Sequence, residues 1–206
     1  MEKTKKRIFE YDLMRVILSM MVLGIHILTK VKGLSKEYNT TWVVVNIFTN
    51  FFMISNPLFF ILSGKFSLNK EFETSKDYKR FYKNKMITII IPFIIASIII
   101  YIVFNENKSI QNFIKKFVGG DIEGTYWFIY TLIGMMIFSP FLSKMIKNMN
   151  LTDKKIFLGL GTICSGFVVV MEMFRIKSAV AFTTFGIICW HFYYLLGRIY
   201  RRNISY

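Results

Sequence analysis

The sequence predicts an all-α integral membrane protein, a helical bundle of about six transmembrane helices with short interfacial helices beside them. Of its 206 residues, 54% are hydrophobic and only 3 are proline. The apolar residues stand in blocks of about 17 to 26 residues, the length that an α-helix needs to cross about 30 Å of hydrocarbon. The alternative is a very hydrophobic soluble helical bundle, but soluble domains disperse their apolar residues by helical or strand periodicity.

Six blocks qualify as spans, and we expect them to belong to a single membrane domain that extends over residues 1–206. The chain between them shows neither an internal repeat nor a linker that would separate domains. The predicted spans are approximately 13–29, 42–68, 86–104, 125–143, 156–174 and 178–197.

The positive charges predict the orientation in the membrane. The net charge of +15 is distributed between the apolar blocks and not along one basic stripe, which argues against a nucleic-acid partner. With the N-terminus inside, the inside segments hold 17 Lys or Arg residues and the outside loops hold 8. This bias predicts a protein of the cytoplasmic membrane with both termini in the cytoplasm. The inside segments are then 1–12, 69–85, 144–155 and 198–206, and the outside loops are 30–41, 105–124 and 175–177.

Two connecting segments carry helical patterns of their own. Segment 74–85 begins with a Thr74 or Ser75 cap and interleaves basic with aromatic residues, which predicts a cytoplasmic helix at the lipid headgroups. Segment 109–120 repeats its apolar residues with helical spacing and ends in two glycines, which predicts an interfacial helix on the outer surface.

The first span contains three polar residues whose spacing points to a function. Arg15 and His26 are 11 residues apart, so on a helix they differ by only about 20° in direction and about 16 Å in height. Asp12 lies three residues before Arg15 and can pair with it. Ionisable groups within a span are costly and usually face a bundle interior or a cavity, which favours a polar face through the membrane. The alternative is an arginine that snorkels to the headgroups and a histidine that bonds a neighbouring helix.

The remaining polar and small residues have both structural and functional interpretations. Pro57 interrupts the backbone hydrogen bonds of the second span, and Ser63-Gly64 admits either a neighbouring helix or a ligand. We interpret Tyr126 and Trp127 as an aromatic belt and His191 as structural. Cys164 and Cys189 lie within apolar blocks without metal-ligand spacing, and we expect no metal site.

In combination, these segments resemble the acyltransferase-3 family of multi-span membrane acyltransferases, which includes the O-acetylases of O-antigen and exopolysaccharide. The resemblance covers nearly the whole chain and rests on several motifs in order. The motifs are D-x-x-R-x10-H at Asp12, Arg15 and His26; F-F-x-x-S-G at Phe59, Phe60, Ser63 and Gly64; Lys85 before Pro92 in the third span; W-F-I at Trp127, Phe128 and Ile129; and YYLLGRIYRR at 193–202.

The chain also departs from the family pattern. Lys85 and Thr88 stand where the family commonly has a pair of arginines, and Thr125-Tyr126 stands where a histidine is frequent. Lys65 follows the Ser-Gly pair at a usually apolar position. Family members usually have more spans than the six predicted here, so the chain resembles a C-terminally shortened member. It is then a fragment, a naturally short enzyme or a non-catalytic relative, and a second membrane chain could complete the bundle.

The resemblance implies transfer of an acyl group, most simply acetyl, from acyl-CoA to a hydroxyl of an envelope glycan or lipid-linked sugar. Acyl-CoA is then a co-substrate, and we expect no bound cofactor. His26 would serve as general base and Arg15 would meet the donor phosphates. The predicted substrate-binding residues are Asp12, Phe59, Phe60, Ser63, Gly64, Lys85 and Trp127.

A non-enzymatic function is the main alternative. The same polar stripe could guide a sugar in a protein that translocates a polysaccharide intermediate, or the chain could be a scaffold for a complete partner. A small ion channel lacks support, because no span carries a ring-forming acidic or carbonyl-rich motif.

Overall fold

A computed structural model describes residues 9–34, 39–105, 109–173 and 186–199, and every regular element among them is helical. A π-helical turn, Met86–Ile90, joins the fourth helix to the fifth, and a 3₁₀ turn, Gly124–Tyr126, precedes the seventh. The helices are α1 (Phe9–Leu34), α2 (Thr40–Phe52), α3 (Ser55–Leu68), α4 (Ser75–Lys85), α5 (Ile91–Phe104), α6 (Ile110–Gly119), α7 (Trp127–Asn148), α8 (Leu151–Met173) and α9 (Gly186–Ile199).

The predicted all-α membrane architecture is confirmed. Within the described ranges, five helical stretches are long and apolar enough to cross a membrane. The predicted sixth span falls only partly within these ranges, since residues 186–197 belong to α9 and residues 178–185 lie outside them. Residues 174 and 200–202, which the predictions also included, lie outside as well. The five stretches are Phe9–Leu34, Thr40–Leu68, Ser75–Phe104, Trp127–Asn148 and Leu151–Met171.

Apolar side chains remain exposed along the outer faces of these helices. On α8 four of the exposed large side chains recur at helical spacing and form a stripe. A stripe of this size would be an aggregation hazard in water, whereas in a bilayer it contacts acyl chains. The stripe consists of Ile156, Leu160, Ile163 and Phe167.

The second predicted span is interrupted where its proline requires an interruption. α2 ends at Phe52 and α3 begins at Ser55, with a turn at residues 53–54 between them. Pro57 has no N–H to donate to the carbonyl four residues earlier. The neighbouring Asn56 N–H instead donates to the Met53 carbonyl, at 3.2 Å, in the tighter i to i+3 pattern.

The third predicted span and the predicted headgroup helix form one continuous helical stretch. α4 begins after Thr74, whose backbone N–H and hydroxyl both donate to Asp77 Oδ2 at 2.8 Å. Phe81 of α4 is buried. The stretch then passes through the π-helical turn, in which the Ile91 N–H donates to the Met86 carbonyl. Pro92 follows at the start of α5, where its missing N–H requires this local change of hydrogen-bond pattern.

Local caps determine the ends of two further helices. Ser109 Oγ accepts from the Asn112 N–H at 3.1 Å at the start of α6, and Gly120 ends that helix with φ of 78°, which favours glycine. α8 begins earlier than the predicted residue 156, because Asn150 and Asp153 exchange backbone-to-side-chain hydrogen bonds of 3.0 and 2.8 Å.

The described residues divide into two compact units. Unit 1 contains those of residues 1–65 and 161–206, and unit 2 contains those of residues 66–160, so the boundaries fall within α3 and α8. In unit 1, α1 and α2 form an antiparallel pair. Lys32 Nζ of α1 donates to Asn46 Oδ1 of α2 at 2.6 Å and lies 4.9 Å from the centre of the Trp42 ring.

Candidate functional site

The three polar residues predicted on the first span lie on one unbroken helix, α1. The 11-residue interval between Arg15 and His26 therefore keeps them within about 20° of one another, at heights that differ by about 16 Å. Arg15 is exposed and His26 is half-buried. The geometry required for a polar stripe is present along α1.

The predicted pairing of Asp12 with Arg15 is confirmed. Arg15 Nη1 donates to Asp12 Oδ1 at 2.8 Å, and each side chain is 46% exposed. A pair this exposed contributes little to stability, because solvent screens both charges. Its consequence is geometric, since the carboxylate orients the guanidinium at this end of α1.

Phe59, Phe60 and Ser63 occupy different environments on α3. Phe60 is fully buried, and the centre of its ring lies 5.0 Å from that of Trp190 on α9. Phe59 and Ser63 are half-buried. Phe60 therefore packs in the core of unit 1, and Phe59 and Ser63 keep part of their surface accessible.

Gly64 is a point of contact between helix backbones. A Cβ atom on Gly64 would lie 1.8 Å from the Tyr194 carbonyl oxygen of α9, and a Cβ on Gly197 would lie 2.1 Å from the Ile61 carbonyl oxygen of α3. Both distances are far below van der Waals contact. Of the two possibilities that the sequence left open for Gly64, the neighbouring helix is the one present.

Lys85 and Trp127 lie in unit 2. Lys85 Nζ donates to Ser67 Oγ at 3.0 Å and lies 5.6 Å from the centre of the Phe81 ring. Trp127 is the first residue of α7 and is 43% exposed. The other seven predicted site residues, Asp12, Arg15, His26, Phe59, Phe60, Ser63 and Gly64, all lie in unit 1.

Tyr126 and Trp127, which were predicted to form an aromatic belt, lie in different environments. Trp127 is exposed, whereas Tyr126 is half-buried and packs edge to face against Phe93, with ring centres 5.0 Å apart. Burial, reinforced by the negative charge of Glu123, raises the pKa of the Tyr126 hydroxyl. Tyr130 and Phe117 also contact Phe93, so Tyr126 is part of a structural aromatic cluster.

Lys65 is a residue at this end of α1 that sequence reasoning did not assign to the site. Its ammonium nitrogen lies 4.5 Å from the centre of the Tyr11 ring, and Tyr11 directly precedes Asp12. The available signal was a lone positive charge within an apolar block, directly after the Ser-Gly pair. Periodicity within one helix cannot show which ring such a lysine will meet on another.

α1 carries groups suited to proton transfer and to binding an anion. The imidazole of His26 and the guanidinium of Arg15 lie on this one helix. Within residues 9–34, 39–105, 109–173 and 186–199, no group of three or more His, Cys, Asp or Glu residues could hold a metal ion.

Comparison with known proteins agrees with the resemblance read from the motifs. A family model, Acyl_transf_3, described as an acyltransferase domain, matches residues 8–204. The match includes every described helix, from α1 to α9, and both compact units. No curated protein and no solved structure matches the chain.

Proposed function

The chain belongs to the Acyl_transf_3 family of acyltransferases, and from that premise we propose that it moves an acyl group from acyl-CoA to a hydroxyl of a cell-envelope glycan. The family match and the membrane-spanning helices establish a membrane acyltransferase. The proposal concerns the substrates. It names acyl-CoA as the donor, acetyl as the simplest acyl group, and a glycan or lipid-linked sugar as the acceptor. The observation that carries it is the stripe on α1, with the Asp12–Arg15 pair at one end and His26 about 16 Å along the same face.

His26 is proposed as the general base. Its imidazole takes the proton of the acceptor hydroxyl while the hydroxyl oxygen attacks the thioester carbonyl. The new C–O bond forms as the C–S bond breaks, and the thiolate of coenzyme A leaves. The imidazolium then returns the proton to that thiolate, so the reaction releases a free thiol and an ester.

Arg15 is proposed to meet the phosphates of the donor. A guanidinium presents five N–H donors in a plane that matches phosphate oxygens, and the hydrogen bond to Asp12 orients this plane on α1. Phe59, Ser63 and Trp127 keep accessible surface for the substrates. In unit 2, Lys85 and the exposed cations of α4 carry positive charge that would attract a phosphorylated donor to the cytoplasmic side in the proposed orientation.

The direct test of the function is donor consumption. Membranes that contain the chain should transfer label from acetyl-CoA to envelope glycan, and membranes without it should not. A protein that only translocates or scaffolds a polysaccharide intermediate would leave the label on coenzyme A. Family membership favours transfer over that alternative.

The proposed orientation places both termini and α4 in the cytoplasm, where acyl-CoA is made. Both Lys115 and Lys83 are exposed, and the proposed orientation puts them on opposite sides of the membrane. An impermeant thiol reagent should then label Lys115→Cys in intact cells and Lys83→Cys only after permeabilisation. The unsubstituted chain, whose Cys164 and Cys189 lie within α8 and α9, gives the background. Labelling of Lys83→Cys in intact cells would contradict the proposed orientation and indicate the opposite one.

Arg15→Ala is expected to weaken donor binding more than turnover. Losing a charged hydrogen bond to phosphate should raise the KM for acetyl-CoA about tenfold to a hundredfold. Arg15→Lys keeps the charge without the planar guanidinium, so its KM for acetyl-CoA should lie between those of the unsubstituted chain and Arg15→Ala. Steady-state kinetics with varied acetyl-CoA measure the effect. An unchanged KM in Arg15→Ala would reduce Arg15 to a charge at the membrane edge.

A further inference from the structure

The cations of α4 are gathered on one side of that helix. Lys76, Lys79 and Lys83 follow one another at intervals of three and four residues, so they lie within about 60° of one another around the helix axis. Arg80 adjoins them, about 40° beyond Lys76. All four side chains are exposed, and we call them the α4 basic face. Asp77, the acidic residue of α4, points about 120° or more away from Lys79 and Lys83 at the capped start of the helix.

The opposite side of α4 is fixed by packing within unit 2. Phe81 is 2% exposed, and the centre of its ring lies 5.2 Å from that of Phe72, which precedes the helix. The ring centre of Tyr78 lies 5.4 Å from the same Phe72 ring. The Tyr82 hydroxyl donates to the Ile137 carbonyl of α7 at 2.8 Å. These contacts fix the rotation of α4 about its axis, so the basic face points away from the packed side.

The α4 basic face is electrostatically unfavourable for the helix that carries it. Like charges three or four residues apart on a helix repel each other, as Lys76 does with Lys79 and Lys79 with Lys83. Lys76 also stands in the first turn, near the positive end of the helix dipole. The aromatic packing on the other side of α4 uses none of these three ammonium groups. A ligand that supplies negative charge along the face would relieve the repulsion.

The place of the basic face along the helical stretch identifies the source of that negative charge. α4 continues through the π-helical turn into the apolar α5. Ile87 is 52% exposed and follows Lys83 by four residues, about one turn, so both project from the same side about 6 Å apart along the axis. The headgroup layer beside the hydrocarbon is about 5 to 8 Å thick. Lys83 therefore lies at the headgroups when Ile87 contacts acyl chains, and the flexible stems of Lys79 and Lys76 extend towards the same layer.

We propose that the α4 basic face binds the headgroups of anionic phospholipids in preference to zwitterionic ones. The ammonium groups act as point charges on the lipid phosphates, and in the proposed orientation they face the cytoplasmic leaflet, whose surface potential is negative. The inference does not depend on acyl transfer, since a translocator or scaffold with the same α4 would bind the same lipids. The structural explanation is a set of topology charges that water solvates and that are indifferent to the headgroup.

The experiment measures headgroup preference beside the basic face. The full chain with Ile87→Cys carries a bimane fluorophore and is reconstituted in phosphatidylcholine, with acyl-spin-labelled phosphatidylglycerol or phosphatidylcholine as the quencher. The ratio of the two quenching efficiencies gives the local preference for the anionic headgroup. The chain without Ile87→Cys, whose Cys164 and Cys189 lie within α8 and α9, gives the background. Removing three charges from the face should lower the ratio about fivefold, the factor for one cation at a membrane surface. The three changes, made together, are Lys76→Gln, Lys79→Gln and Lys83→Gln.

Two matched variants separate the basic face from net charge and from folding. Arginine at the same three positions keeps the charge and should keep the ratio within about twofold. Lys30→Gln, Lys115→Gln and Lys155→Gln together remove the same charge from exposed positions on α1, α6 and α8, and should also leave the ratio within about twofold. In the chain that retains the basic face, raising the salt from about 0.1 M to about 1 M shortens the Debye length from about 10 Å to about 3 Å and should weaken the preference.

The outcomes distinguish this inference from the proposed function. The same ratio with and without the three α4 lysines, or an equal loss in the control set, would overturn the lipid assignment. Coenzyme A, which the same charges attract from a distance, should leave the quenching unchanged. Displacement of phosphatidylglycerol by coenzyme A would assign the face to the acyl donor and overturn the inference. A chain that transfers no acetyl from acetyl-CoA would overturn the proposed function and leave lipid binding by α4 intact.

Discussion

His26→Asn is expected to lower acyl transfer at least about a hundredfold, the smaller end of what a positioned general base contributes. Asparagine preserves much of the shape and polarity of imidazole but cannot accept and return a proton near neutral pH. The half-buried position of His26 on α1 makes the substitution tolerable for folding. The loss should therefore appear in kcat, with membrane abundance unchanged.

The chain offers a matched control, because it contains only one other histidine. His191→Asn on α9 makes the same chemical change, also at a half-buried position, and should retain most of the activity. Transfer of labelled acetyl to glycan measures the activity, and immunoblotting of the membrane fraction measures the membrane abundance. Full transfer by His26→Asn would remove the general-base role.

Gly64→Ala is expected to disrupt the crossing of α3 and α9. The added methyl would lie 1.8 Å from the Tyr194 carbonyl oxygen, which belongs to the backbone and cannot rotate away as a side chain could. Overpacking a tight contact costs about 1 to 3 kcal/mol even where the structure relaxes. Close approach of backbones at small residues is also what holds membrane helices together, so we expect low membrane abundance and a lowered unfolding temperature in detergent.

Two further alanine variants make this prediction specific. Gly197→Ala meets the same crossing from α9, with backbone atoms of Ile61 and Lys65 at 2.1 and 2.5 Å, and should destabilise similarly. Gly159→Ala in α8 meets nothing within 4 Å and should be neutral or stabilise by up to about 1 kcal/mol. If Gly64→Ala unfolds at the same temperature as Gly159→Ala, the prediction that the α3 and α9 backbones are in contact at Gly64 is wrong.

Much of the fold followed from local patterns along the chain. Apolar blocks predicted the spanning helices, Pro57 predicted the break between α2 and α3, and Thr74 predicted the start of α4. The pairing of Asp12 with Arg15 also followed, because partners three residues apart on one helix need no other part of the chain. The roles proposed for Arg15 and His26 remain predictions.

The environments of the α3 residues could not be predicted in the same way. Phe60 and Gly64 belong to one short motif, yet both are in contact with α9, which lies far along the chain. Helical periodicity shows which residues share a face but not which helix covers that face. In a membrane this ambiguity is greater, because lipid and a neighbouring helix are both apolar surroundings.

The sequence by itself determined that the chain is helical, crosses a membrane and carries Asp12, Arg15 and His26 on one helix. It did so because helix length, periodicity and caps depend on neighbours within a few residues. Only the tertiary structure decided that Gly64 receives the backbone of α9 and that Lys65 meets Tyr11. Those contacts join segments distant in sequence, and their geometry depends on how whole helices pack against one another.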